Sequence, residues 1–337
     1  MIQTIEANLH TNWQKELAMA VSEPNKLLKM LKIDEKAFSE DIKARKLFAM
    51  RVPLPFIKKM KVGDSHDPLL LQVLPLHQEF LIKKGFDHDP LLEQNNQIPG
   101  LLHKYKSRVL IIFKTGCAIN CRYCFRRHFP YQDNHLNKKA LIDSLKYIAN
   151  DKNINEVILS GGDPLMAKDD AIDWFMTELE KIPHITRIRI HSRLPVVIPN
   201  RITDQLCSRF KSSRLKVILV THINHANEID VALSQKLQQL KLADVTLLNQ
   251  AVLLKNINDT VKAQVDLSEA LFSAHVLPYY LHVLDKVQGA AHFEIAEKDA
   301  ITIQKGILNE LPGFLVPKLV REIGGEKSKT PIDLALQ

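Results

Sequence analysis

From residue 101 onward the hydrophobic period of the chain switches repeatedly, and always in one order: a short β-branched run, then an amphipathic helical stretch. The short runs predict strands at 108–113, 156–160, 187–191, 216–221, 245–250 and 276–285. The 3.6-residue pattern predicts helices near 137–149, 168–181, 202–211, 227–242, 258–274 and 297–310. A helix between successive strands carries the chain back along the sheet, so strict alternation dictates parallel strands with helices outside, an α/β fold. Six such units suit an incomplete (β/α) barrel better than a closed eightfold one. Residues 1–100 lack this pattern. An apolar helical stretch at Leu27, Leu28, Met30 and Leu31 gives way to Pro53, Pro55, Pro68, Pro75 and Pro90, and no chemical motif stands out there. The expected division is a helical, loop-rich region at 1–100, a barrel at 101–312 and a short tail at 313–337.

In such a barrel the site forms at the carboxyl ends of the strands. Cys117 follows the first predicted strand, and Gly161, Gly162 and Asp163 follow the second. Ser192 and Arg193 follow the third, His222 the fourth, Asn249 and Gln250 end the fifth, and Asp285 ends the sixth. One polar residue at a strand end is weak evidence, but every strand carries one.

Composition removes some classes of function. The net charge of +8 is spread along the chain without a dense Lys/Arg tract interleaved with aromatics, so no nucleic-acid partner is expected. The N-terminus has no basic segment followed by an apolar one, and apolar runs such as Val109 to Phe113 fall far short of the ~18 residues a membrane span needs. A cytoplasmic protein with no membrane partner is expected.

Three of the four cysteines form the run Cys117-Ala-Ile-Asn-Cys121-Arg-Tyr-Cys124. Such clustering, without an export signal, argues for metal ligation over disulfides. A structural zinc site wants four ligands, usually in paired spacing, and no second pair exists. Three thiolates on one loop can ligate three irons of a four-iron cube and leave the fourth for a small molecule. Cys207, among Leu206 and Phe210 on a predicted helix, reads as a core cysteine. Gly161-Gly162 reads either as a plain turn or as backbone that a ligand approaches closely. His222, Asn224 and His225 fit a polar pocket wall better than a metal site, and His191 reads as a satisfied barrel histidine.

The C-x3-C-x2-C run resembles the signature of radical S-adenosylmethionine (SAM) enzymes, and the glycine pair resembles the motif that holds the SAM ammonium. From about residue 95 to Pro331 the chain is similar to the lysine 2,3-aminomutase family. The similarity lies in PGLLHKY from Pro99, Arg108-Val-Leu, CAINCRYCFRRHF, LSGGDPL, SRLPVVIPNRIT, THINHANEI, NQAVLL, PYYLHVLD and GGEKSKTP, in one order. The resemblance implies a partial (β/α)6 TIM-like radical SAM barrel with a helical N-terminal extension and a C-terminal tail carrying a lysine for pyridoxal 5′-phosphate (PLP). It implies a [4Fe–4S] cluster on Cys117, Cys121 and Cys124, SAM near Gly161, Gly162, Asp163, His222 and Gln250, and PLP on Lys329 with Arg108 and Arg193 near its phosphate. Arg126 would bind the substrate carboxylate, and Asp285 the side-chain ammonium of lysine. Lys104 stands where the family has an arginine, and Glu322, seven before Lys329, where it has a second ammonium-binding Asp.

The reaction so implied is an isomerase's: a 5′-deoxyadenosyl radical takes a β-hydrogen from lysine held on PLP, and the amino group migrates to the β-carbon. The chain stops eight residues after Lys329, and this short form resembles the aminomutase that makes (R)-β-lysine from free (S)-α-lysine for elongation factor P, which a separate lysine ligase then modifies. A one-electron donor such as flavodoxin or ferredoxin is implied. The residues alone leave open a catabolic lysine or glutamate 2,3-aminomutase, a PLP-free radical SAM enzyme acting on RNA or protein, and a non-catalytic iron–sulfur protein. Without the resemblance, Arg126-Arg127 reads as a solvated basic surface, Asp285 as a helix cap and Lys329 as a tail lysine, with Lys327 its competitor.

Overall fold

A computed structural model describes residues 13–93, 100–130 and 137–334, so Pro99 of the PGLLHKY stretch lies outside the described residues. Among the described residues nine strands form one sheet in strictly sequential order. They are β1 (Leu101–Tyr105), β2 (Arg108–Lys114), β3 (Glu156–Gly161), β4 (Arg187–Ser192), β5 (Lys216–His222), β6 (Thr246–Val252), β7 (Leu277–His282), β8 (Lys318–Arg321) and β9 (Thr330–Pro331). Strands β2 to β8 run parallel, while β1 and β9 pair antiparallel at the two edges. The six alternating units are therefore present, with β8 added after the sixth helix. Strands β1, β8 and β9 escape the sequence pattern because two to five residues are too few to establish a period.

The sheet curls into an open barrel. Lys104 on β1 reaches Glu322, just past β8, at 3.5 Å, which brings the two edges of the sheet together. The six outer helices span Lys138–Asn150, Asp169–Glu180, Asp204–Lys211, Val231–Leu242, Val261–Ser273 and Glu297–Glu310. Several begin later than periodicity suggests because a side chain caps them. Thr203 accepts from Leu206 N–H (3.0 Å), Asp230 from Leu233 N–H (2.8 Å) and Thr260 from Ala263 N–H (3.1 Å).

Alternation along the strands fixes the two faces of the barrel. On β4, Ile188 and Ile190 are buried in the apolar core, while Arg189 and His191 line the interior cavity. On β6, Leu247 and Ala251 pack in the core, and Leu248, Gln250 and Val252 line the cavity. The main apolar core extends from Trp13 and Leu27 through the strands to Ile332, so the N-terminal region and the tail share it with the barrel, and a smaller cluster gathers Phe86, Tyr123, Leu284 and Phe293.

Candidate active site

The barrel encloses a cavity of about 840 Å3, the size of a cofactor-and-substrate site. Two groups of chemistry line it. Cys117, Cys121 and Cys124 come from the loop leaving β2. Lys329 lies with Glu322, Tyr280 and Asp285, and Arg108 and Arg189 line the same cavity. Apolar side chains such as Leu110, Ile158, Ile218 and Leu248 line it from the strands.

The cysteine loop is held by backbone contacts. Gly162 N–H donates to the Lys114 carbonyl (2.8 Å) and Asp163 N–H to the Gly116 carbonyl (2.9 Å). A Cβ on Gly162 would lie 2.6 Å from Gly116 O, and Gly161 has φ +120° with its Cβ position against Lys114 O. The glycine pair is thus required where β3 and the cysteine loop cross. Burial raises the Cys117 thiol well above its ordinary range, and burial with neighbouring Cys121 pushes Cys124 up to about 11. Desolvation that disfavours the bare thiolates of Cys117 and Cys124 is relieved when the sulfurs bind a cation.

Several residues sit differently from expectation. Asp163 was expected to bind cofactor, but its carboxylate is fully engaged within the protein. One oxygen accepts from Leu165 N–H and Ser192 Oγ, and the other from Arg193 N–H and Leu194 N–H. It braces the ends of β3 and β4. Arg193 was expected near the PLP phosphate, but its buried guanidinium lies with the cysteine loop. It contacts Cys121 Sγ (2.7 Å), Tyr123 Oη (2.5 Å), Gln72 (2.6 Å) and Glu228 (3.0 Å). Arg189, four residues earlier, lines the cavity; its Nη2 pairs with Glu156, while its Nε is buried without a partner. Asp285 lies three residues beyond the end of β7, where the chain turns as Val287 N–H donates to the Asp285 carbonyl.

Arg126 and Arg127 are both buried. Arg126 donates from Nε and Nη2 to the two oxygens of Glu93 (2.7 and 3.0 Å), a two-bond fork. It also donates to Ser160 Oγ (3.1 Å) and Gly161 O (3.2 Å). His222 lines the cavity with its ring stacked on Tyr123, and Gln250 lines it from β6. His191 is not a satisfied barrel histidine: its Nε2 is buried and unpartnered. Burial keeps the imidazoles neutral, with His191 and His222 well below their usual range and His282 at about 3. Asn224 and His225 serve structure instead, Asn224 Nδ2 donating to Tyr123 and His225 Nδ1 accepting from Asn227 N–H.

Sequence reasoning missed Arg189, His282, Tyr280 and Glu93. The strand residues stand on cavity-facing positions, which one strand's alternation cannot tell from outward ones. It also missed Gln72, whose side chain accepts from Arg193, Asn224 and Tyr123 from within the N-terminal region.

Residues 111–229 match the model of the radical SAM superfamily. Over 100% of its length the chain is 53% identical to the L-lysine 2,3-aminomutase of Escherichia coli (strain K12), covering 98% of that protein. The L-lysine 2,3-aminomutase of Haemophilus influenzae is also 53% identical, over 95% of each chain. That of Clostridium subterminale is 34% identical over 95% of this chain and 77% of its own. The chain belongs to the lysine 2,3-aminomutase family of radical SAM enzymes. As a member of that family it is an isomerase working with a [4Fe–4S] cluster and SAM. The lysine 2,3-aminomutase fold offers a donor set that fits this cluster. Among the described residues no three His, Cys, Asp or Glu side chains converge on one ion position. A cube takes one thiolate per iron, so ligands spread along one cavity wall suit it better than a single ion. Cys207 is half-buried against the core on the helix Asp204–Lys211 and does not line the cavity. No helix among the described residues is long and apolar enough to cross a membrane.

Proposed function

We propose that this enzyme is a PLP-dependent 2,3-aminomutase that converts free (S)-α-lysine to (R)-β-lysine, which a separate ligase attaches to elongation factor P. The observation that supports it best is one cavity lined by a three-cysteine loop together with a lysine, acids and two arginines. The identity shared with bacterial proteins named L-lysine 2,3-aminomutase supports lysine as the substrate. Electrons come from a flavodoxin- or ferredoxin-type donor.

When bound, SAM on the reduced cluster supplies a hydrogen-abstracting radical, and PLP supplies the aldehyde carbon that carries the migrating nitrogen. The protein's part is to position and to shield. Lys329 presents its amine beside the Tyr280 ring, 5.7 Å from Nζ to the ring centre. Arg108 and the unpartnered Nε of Arg189 suit a phosphate. The fork of Arg126, now closed on Glu93, is the geometry that receives a substrate carboxylate. Gly161, Gly162, His222 and Gln250 line the cavity with the cysteines, where SAM would lie. Asp285 receives the side-chain ammonium of lysine, and the apolar side chains lining the cavity keep water from the reacting carbons.

The deciding experiment incubates reduced, reconstituted protein with SAM, PLP and lysine, followed by chiral analysis of the product. β-Lysine of R configuration is expected, and β-glutamate from glutamate with none from lysine would refute the reading. Borohydride reduction and peptide mapping should place phosphopyridoxyl on Lys329, and a label on Lys327 would overturn that assignment. Elongation factor P from cells carrying Cys117→Ala should lack its β-lysyl group. If the group persists, the product serves another acceptor.

A further inference from the structure

The two acids that lie near Lys329 are not equivalent. Glu322, 15% exposed, lies between two lysines: Oε2 accepts from Lys329 Nζ, and Oε1 faces Lys104 Nζ at 3.5 Å. Lys104 is fixed there by a second bond to the Ile323 carbonyl at 3.3 Å. Asp285 lines the same cavity, yet no ion pair reaches it among the described residues. A substrate ammonium entering here meets one carboxylate that two resident cations already pair with and one that, among the described residues, no cation contacts directly. Coulomb attraction favours the second.

Lys329 has the opposite need. Whenever it is not bonded to the cofactor its charge remains in the cavity, with the side chain only 20% exposed, and a desolvated ammonium is costly without a counter-ion. Glu322 sits seven residues before it, and the two bond directly. We propose that Glu322 is the resting counter-ion of the released Lys329, a positioning residue for that lysine, which leaves the substrate ammonium to Asp285. The proposal rests on the reading of Lys329 as the PLP lysine. Lys104 completes the device: it balances Glu322 while Lys329 is engaged, so the acid does not become a second substrate site.

A group that stabilises only the released lysine shifts the balance towards release, and so towards capture of any incoming amine. Removing it has a definite sign. In cofactor-free, cluster-loaded protein titrated with PLP, Glu322→Gln should tighten the dissociation constant about tenfold, the scale of one charge-assisted bond. The same variant should raise KM for lysine and for norleucine, which lacks the terminal ammonium, by a common factor. Glu322→Asp, one methylene shorter, should move both constants in the same direction by less, which supplies a conservative test if the Gln variant folds poorly. A KM that rises for lysine alone would return Glu322 to substrate binding and overturn the proposal, as would an unchanged PLP affinity. Borohydride mapping of the wild-type protein separates the two layers. A label on Lys327 sinks the PLP-lysine reading itself, whereas a label on Lys329 with unchanged constants in the Glu322 variants sinks only the counter-ion role.

Discussion

A single carboxyl ties substrate choice to pH. Burial pushes Asp285 up to about 7, reinforced by the negative charges of Glu322 and Glu93 and partly offset by Lys329 and Arg126. Its charged form, which an ammonium needs, is therefore the majority only above pH 7, and it falls about fivefold over the first pH unit below. KM for lysine should rise about fivefold from pH 7 to pH 6, while KM for norleucine stays flat. His282, held at about 3, stays neutral across this range and cannot produce the profile. Asp285→Asn should abolish the difference between the two substrates, and parallel profiles in the wild-type enzyme would leave Asp285 a structural residue. The residues that were legible in the sequence share one property. Cys117, Cys121, Cys124, Asp285 and Lys329 sit in short local patterns, and all of them line the cavity. Arg189 and His191 carry no such pattern, because their importance comes from the inward face of a strand whose neighbours lie far away in sequence. Arg193 and Asp163 misled for a related reason: a strand-end residue faces either the ligand or the adjoining strand end, and periodicity does not say which.

Between the strands and the site stands the crossing of β3 with the cysteine loop. The sequence shows that Gly161 and Gly162 matter, but the reason it suggests is ligand approach. The immediate reason is that two backbones pass within the space of one methyl group. Gly162→Ala places a Cβ 2.6 Å from Gly116 O and 2.7 Å from Thr115 O. Neither neighbour is a flexible side-chain end, so the loop bearing Cys117 must shift. The expected result is a folded protein with native far-UV circular dichroism and markedly lower iron content and cluster absorption after reconstitution. Full cluster loading in this variant would show that the crossing tolerates movement and that the glycines serve the ligand. Cys207→Ala, on an outer helix facing the core, should load its cluster normally. Helices and parallel strands were readable at this scale because each is long enough to show its period, whereas their first residues were set by caps such as Thr203 and Asp230.

The whole molecule depends on a region in which the sequence shows no chemistry. Glu79, fully buried before the barrel begins, accepts from Arg122 Nε (2.8 Å) and Arg127 Nη2 (2.7 Å), and these arginines flank Cys124. Arg122 also donates to Phe48 O (2.7 Å), Arg127 to Gly289 O (3.0 Å), and Arg51 to Cys117 O (3.2 Å). The N-terminal region is thus a collar around the cysteine loop. A lone glutamate among helical turns gives no sign of this, because its partners lie more than 40 residues away. Glu79→Ala leaves two buried guanidinium groups without their acid and should cost about 3–5 kcal/mol, read as a lower denaturation midpoint. Stability alone does not prove a role at the site, because a well-packed apolar replacement of a buried ion cluster is often neutral or stabilising. The triple variant Glu79→Leu, Arg122→Met, Arg127→Met separates the two effects. It should recover much of the lost stability yet load its cluster poorly, since the bonds that set the loop against Phe48 and Gly289 are gone. Normal cluster content and SAM cleavage in the triple variant would reduce the collar to packing.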